Sequence, residues 1–263
     1  MRKAETIVAQ ASFDQAPARI TTLLHRLMRE ETGTDPYKTV KDEYNRIALG
    51  HLPAVRKRVF AASGANERLA AGVRAAIAGN VIDFGIYDSV DLDRALSESL
   101  DLPLDASAYQ DFFRAVQDAR RILFLCDNAG EIALDRVLID VLREAGKEVV
   151  AVVKGVPVIN DATLDDAAAV RLSDSATQVI DNGNDGIGTL LELCSEAFRD
   201  VYHSADIVIS KGQANYETLV TTGDDRIFFL FKVKCPVVAQ HMGRENGDIV
   251  LMRNQAAAVP AGW

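Results

Sequence analysis

From Arg121 onward, short apolar runs alternate with segments of helical period, and this alternation restricts the fold more than any other feature of the sequence. The runs Ile122 to Cys126, Glu148 to Val153, Val179 to Ile180, Ile207 to Ser210, Ile227 to Phe231 and Val237 to Ala239 read as buried strands. Helical patterns separate most of them, among them Leu190 to Phe198. Strands joined through helices form a parallel sheet covered on both faces. The earlier chain has a different texture. Ile20, Leu23, Leu24 and Leu27 recur at three- and four-residue steps, and helical patterns continue over about 39 to 62 (broken near Gly50 and Pro53), 66 to 78, 92 to 100 and 107 to 119. The expected architecture is α/β, with a helical N-terminal region, residues 1 to 118, packed on a Rossmann-like, mostly parallel three-layer sheet domain, residues 119 to 263. At 263 residues and 48% hydrophobic content, the chain suffices for one large core or two modest ones.

The first apolar run stops abruptly at Asp127-Asn128, and Ala129-Gly130-Glu131 then leads into the helical pattern Ile132, Leu134, Val137, Leu138, Val141 and Leu142. Both oxygen-bearing residues therefore fall at the carboxyl end of a strand, where open α/β sheets bind ligands. A carboxylate beside an amide carbonyl suits Mg²⁺ or a similar divalent ion. Asp-Asn pairs also make turns and helix caps, so that reading stands beside the metal.

Other strand ends carry similar chemistry. Asp161 follows the second run, and the glycine-rich stretch Asp181 to Thr189 follows the third. Its spacing is not the dinucleotide fingerprint, but its backbone N–H groups suit an anion as well as a flexible turn. Lys211 ends the fourth run and Lys234 follows the fifth. Acidic oxygens around a cation with ammonium groups opposite make an arrangement suited to a phosphate ester. The four histidines, His25, His51, His203 and His241, share no ligand spacing.

Composition removes several classes. A net charge of −9 offers no basic average for a nucleic-acid backbone. Cys126, Cys194 and Cys235 form neither a disulfide framework nor a paired metal motif, so a reducing cytoplasm is expected. No apolar run is long enough to span a bilayer, and no signal-peptide core precedes the first helix.

Taken in order, Gly79-Asn80-Val81-Ile82-Asp83, Cys126-Asp127-Asn128-Ala129-Gly130-Glu131, Ile159-Asn160-Asp161-Ala162-Thr163, Asp181-Asn182-Gly183, Lys211-Gly212-Gln213-Ala214-Asn215-Tyr216-Glu217 and Lys234-Cys235-Pro236 resemble the motifs of the damage-control phosphatase family. These enzymes are related to the acidic-residue methyltransferase-like proteins, and Asp35-Pro36-Tyr37 is also similar. The resemblance implies a metal-dependent phosphomonoester hydrolase acting on phosphate esters of sugars or damaged metabolites. By motif position, Asp127, Asn128 and Asp161 hold one divalent ion (Mg, Mn, Co or Ni), and Lys211 and Lys234 face the phosphate. Asn80, Asp83, Glu131, Gly183, Gly212, Asn215 and Glu217 fall on substrate-contacting or pocket-shaping positions. Close prokaryotic relatives often carry an N-terminal cysteine pair, and residues 1 to 30 contain none.

The expected partner is a small phosphorylated metabolite, with no nucleic acid and no membrane. The general base is open between Asp161 and a hydroxide on the ion. A covalent aspartyl-phosphate on Asp127 is less suitable, because haloacid-dehalogenase-type enzymes place a second Asp where this chain has Ala129. The competing activities are an S-adenosylmethionine-dependent carboxyl methyltransferase, for which Asp127 to Gly130 is a poor cofactor turn, and a non-catalytic metal or sugar-phosphate binder.

Overall fold

Five of the six expected strands form, and their runs of Val, Ile, Leu and Phe explain why: residues buried on both faces need no polar alternation. The computed structural model describes residues 2–9, 17–80 and 89–255. Its sheet contains β1 (Arg121–Leu125), β2 (Glu148–Val153), β3 (Gln178–Asp181), β4 (Ile207–Lys211), β5 (Ile227–Lys232) and β6 (Ile249–Arg253) in the order β3-β2-β1-β4-β5-β6. The first five strands run parallel, with Leu123 level with Val150 on one side and Val208 on the other. Only β6 is antiparallel, pairing with β5 at the edge. Strand order reverses between β1 and β4, so the crevice beyond β1 is the switch point where ligands bind in such sheets.

Helices α1 (Arg2–Ala9), α2 (Pro17–Thr32), α3 (Lys38–Phe60), α4 (Ala65–Gly79), α5 (Ser89–Asp101) and α6 (Ala106–Asp118) precede the sheet, and α7 (Glu131–Glu144) and α8 (Leu164–Ala169) follow β1 and β2. Then come α9 (Glu196–Ser204), α10 (Gln213–Leu219) and α11 (Pro236–Met242). Side chains alternate across β1. Ile122, Phe124 and Cys126 face a core shared with α3 to α8, whereas Leu123 and Leu125 face one built with α9, α10 and α11. Two helical layers thus enclose the sheet. Among the described residues, α3 to α6 share a core with the sheet: Val73, Ala76 and Ile77 of α4 pack in one cluster with Leu138 and Val141 of α7.

Three expectations need correction. Val237 to Ala239 is not a strand but part of α11, because Pro236 at the first helical turn has its φ preset and needs no N–H partner there, and Gly243 ends the helix in a left-handed conformation. The pattern read as a helix from Leu190 to Phe198 is a 3₁₀ turn over Leu191–Leu193 followed by a break. Ser195 then starts α9, its hydroxyl accepting from the Phe198 N–H at 3.2 Å. The break expected near Gly50 and Pro53 does not occur, since α3 continues through Pro53 to Phe60. Asp83 and Trp263 lie outside the described residues. Among the described residues no helix is long and apolar enough to cross a membrane.

Candidate active site

The loop after β1 is joined to the loop after β2 by backbone hydrogen bonds. Ala129 N donates to Asn160 O at 2.9 Å, and Ala162 N donates to Asp127 O at 2.8 Å. Asn128 and Asp161 form an antiparallel bridge between them. Residues more than thirty positions apart thereby arrive side by side. Gly130 makes the turn into α7 with φ +78°, and a Cβ there would lie 2.9 Å from Tyr44 Cβ of α3. Its N–H donates to Asn45 Oδ1 at 2.7 Å, so the helical region closes directly over the loop.

A cavity of about 360 Å³ opens beside this junction, lined by Asp127, Asn128, Asn160 and Asp161 from the two loops and by Asn80 from the end of α4. Gln213, Ala214 and Glu217 of α10, together with Lys234, line another part, and Thr21, Ile159 and Ile187 complete it. Gly212 sits against Asp127: at φ +80°, a Cβ there would fall 2.1 Å from the carboxylate, so only glycine leaves room. Burial, then the negative charges of Glu131 and Asp161, push the Asp127 carboxyl well above the ordinary carboxylate range. Asp161 is raised by burial against the opposing pull of Lys154, whose Nζ lies 3.4 Å from Asp161 Oδ2. Burial also raises Glu217, which accepts from Gln213 Nε2 at 2.8 Å.

Lys211 is not where the sequence places it. Its side chain is fully buried beneath the cavity, and its ammonium bonds Ala76 O at 2.9 Å, Asp135 Oδ1 at 2.7 Å and Glu131 Oε1. Three acceptors match its three protons, which leaves none for a phosphate. Burial lowers the pKa of this lysine, but Asp135 and Glu131 more than offset that and raise it. Burial pushes Asp135 itself up to about 7. Glu131 does not line the cavity either. Its other oxygen accepts from Asn80 Nδ2 at 2.9 Å and lies 3.4 Å from Asn128 Nδ2.

Two more candidates lie off the cavity lining. Asn215 is buried, with Nδ2 donating to Lys211 O at 2.8 Å and Cys126 O at 3.2 Å. Gly183 packs against Gly155 and Ser195, away from the cavity lining. The glycine-rich stretch is not an open anion nest. Gly183, Asn184 and Gly186 donate their N–H groups to Asp181, Asn182 and Asn184 side chains, and Ile187 donates to Thr22 Oγ1 at 3.1 Å. The stretch receives α2 instead: Arg26 grips Asp185 in a two-pronged ion pair with both contacts at 2.5 Å, and Arg29 reaches the same carboxylate at 3.1 Å.

Sequence reasoning gave no role to Lys154, Lys41 or α2. Lys154 follows β2 as Lys234 follows β5, and that shared strand-end position was the available signal. Lys41 is buried between Asp35 at 3.0 Å and Asp166 at 2.9 Å, with Asp161 O at 3.5 Å, which gives Asp35 a partner close to the site. Among the described residues no trio of His, Cys, Asp or Glu is arranged as a metal-binding group, and the candidate ligands are two carboxylates and an amide. They fit a hard divalent ion. Burial and then the neighbouring Glu131 and Asp161 raise Asp127, a strain that a cation relieves, and oxygen donors are what such ions take.

Fold and cavity together define a doubly wound α/β protein with a carboxylate-lined pocket at its switch point. The chain belongs to the damage-control phosphatase family: the profile of the Damage-control phosphatase ARMT1-like domain matches residues 1–250. It is 40% identical over 245 residues to an uncharacterized protein of Methanocaldococcus jannaschii, covering 90% of this chain and 80% of that one. A damage-control phosphatase of Archaeoglobus fulgidus is 30% identical over 236 residues, 89% of this chain and 81% of the relative. A damage-control phosphatase of Pyrococcus horikoshii is 40% identical over 185 residues, 70% and 64% of the two chains. The crystal structure of a DUF89 family protein from Pyrococcus horikoshii superposes with a TM-score of 0.83 at 31% identity, covering 97% of this chain and 88% of that one.

Proposed function

We propose that this chain is a metal-dependent phosphomonoester hydrolase acting on small phosphorylated metabolites. The observation that carries the reading is that the buried carboxylates of Asp127 and Asp161 face one cavity, where burial raises both even with Lys154 beside Asp161. Asp127, Asn128 and Asp161 hold one divalent cation, of which Mg, Mn, Co and Ni are the candidates. When bound, the cation supplies charge neutralisation for phosphoryl oxygens and lowers the pKa of a coordinated water.

The remaining chemistry belongs to the protein. Lys234, exposed and on the same cavity, neutralises the phosphoryl oxygens directly. Asp161, lifted by burial, accepts a proton from the attacking water, while Lys154 keeps its carboxylate in place. Gln213, Glu217 and Asn80 offer hydrogen bonds to hydroxyl groups on the rest of the substrate. At about 360 Å³ the cavity lies near the small end of the range for ligand pockets, which favours a compact metabolite over a nucleotide coenzyme. Lys211, Asn215 and Gly183 act as supports beneath and beside the pocket.

The test is phosphate release from a panel of phosphorylated metabolites with Mg²⁺, Mn²⁺, Co²⁺ or Ni²⁺. Asp127→Asn and Asp161→Asn should each lower kcat/KM by about 10²-fold or more, beyond the effect usual for partners that only orient a metal ligand. Full turnover in both variants would remove the site from consideration.

A further inference from the structure

Glu131 touches the cavity's residues without lining the cavity, and its chemistry restricts theirs. A carboxylate only accepts hydrogen bonds, so any amide beside it must present its NH₂ end. Asn80 does so at 2.9 Å. Asn128 has Glu131 Oε2 at 3.4 Å and Asp127 Oδ2 at 2.8 Å from its Nδ2, so two acceptors flank the same end. Its carbonyl oxygen must then point elsewhere, and it is that oxygen which Asn160 Nδ2 approaches at 2.6 Å. Of the two lone pairs on this oxygen, the second stays available to a cation.

Glu131 is itself held from below. Lys211, fully buried, donates to Glu131 and to Asp135, and its third proton goes to Ala76 O. An ammonium fixed at three points holds the carboxylate in one orientation, and the carboxylate in turn fixes the amides above it. We infer that Glu131 is a positioning residue, not a substrate contact: together with Asp127 and Asn160 it fixes the amide orientation of Asn128, which presents the carbonyl oxygen to the cation. This inference rests on the metal-dependent reading above and adds to it a group that helps select which end of Asn128 the ion meets.

Glu131→Gln is nearly isosteric and keeps an acceptor for Lys211, but it turns an NH₂ group toward Asn80 and Asn128. Two donors then face each other, which loosens the hold on Asn128 although Asp127 and Asn160 still favour the same orientation. Calorimetric titration of the full chain with Mn²⁺ alone, without substrate, should show an affinity about 10–100-fold weaker, the range typical for the partner of a metal ligand. Loss of the Glu131 charge also weakens cation binding through space, and a second background separates the two effects. In Asn128→Asp both ends of the side chain are oxygen, so orientation no longer matters, and adding Glu131→Gln should cost much less there than in the wild type. An equal penalty in both backgrounds would assign the effect to charge and overturn the inference, as would unchanged Mn²⁺ affinity in Glu131→Gln.

A wild-type measurement covers a variant that fails to fold. In NMR spectra, the Asn128 side-chain NH₂ should exchange slowly with solvent, and Mg²⁺ should shift its Cγ while the NH₂ signals persist. Fast exchange, or a Cγ that ignores Mg²⁺ in a protein that binds it, would overturn the inference alone. A wild-type chain that binds neither Mn²⁺ nor Mg²⁺ would overturn the metal-dependent reading with it.

Discussion

The cavity and the layer just beneath it both gather acidic side chains around lysine, yet they settle their charges differently. Below, Lys211 is fully buried and meets Glu131, Asp135 and a backbone carbonyl. Above, Asp127 and Asp161 face open space, with Lys154 near one of them and an exposed Lys234 on the rim. The lower set is held by the protein's own groups, with Asp135 Oδ2 left without a hydrogen bond, and offers no face to the cavity, so it is structural. In the upper set burial raises both carboxyls, and the cavity in front of them leaves room for a ligand to complete the site. Sequence position alone does not separate them, because Lys211 and Lys234 both stand at strand ends.

Substituting the two lysines should break that symmetry most clearly. Lys211→Met leaves two buried acids without their cation and should cost about 3–5 kcal/mol in chemical denaturation. Lys234→Ala should change stability by no more than about 0.5 kcal/mol, while kcat/KM for a phosphate ester falls by about 10²-fold. Similar stability losses from both would mean that the layers are not distinct.

The pH dependence sharpens the same contrast. Asp135 titrates at about 7 when folded and near the ordinary carboxylate value when unfolded, so between these limits the folded chain holds a proton that the unfolded chain has lost. For this group stability is greatest in acid and declines as pH rises toward 7, by about 1.4 kcal/mol per pH unit at most. Asp127 and Asp161 shift in the same direction and add to the decline. Asp135→Asn should lessen the slope measured by urea denaturation, and a divalent cation should lessen the part due to Asp127 and Asp161. A slope unaffected by both would contradict the assignment. The smallest effect concerns the wall formed by α2. Arg26→Ala removes a partly exposed ion pair worth about 1 kcal/mol or less, and should act mainly by raising KM as Thr21 loses its fixed place on the cavity.

Much of this was readable before any coordinates. Strands β1 to β5 declare themselves because a sheet buried on both faces demands continuous apolar runs, and Asp127 and Asn128 stand out because the first run ends on them, whereas Asp161 lies further along the loop after β2 and reaches them through the bridge to Asn128. The edge was harder. Val237 to Ala239 is too short for periodicity to decide, and Pro236 settles it as helix, whereas β6 is a half-covered edge strand with a mixed pattern. The direction of Lys211 does have a signal in the sequence: Glu131 and Asp135 lie four apart on an otherwise apolar face of α7, and acids buried in that way need a cation. The wall made by α2 had none, since the meeting of Arg26 with Asp185 across 159 positions is a product of tertiary structure.

The bond from Lys211 to Ala76 O has a consequence for how such a protein can be rearranged. A chain that began at β1 would strand one ammonium proton in its interior and bare the flank of α7 that α4 covers. The strand-bearing half is therefore no cassette to be grafted behind a foreign leader. Any exchange of the front helices must bring its own carbonyl to that proton and its own apolar surface to that flank.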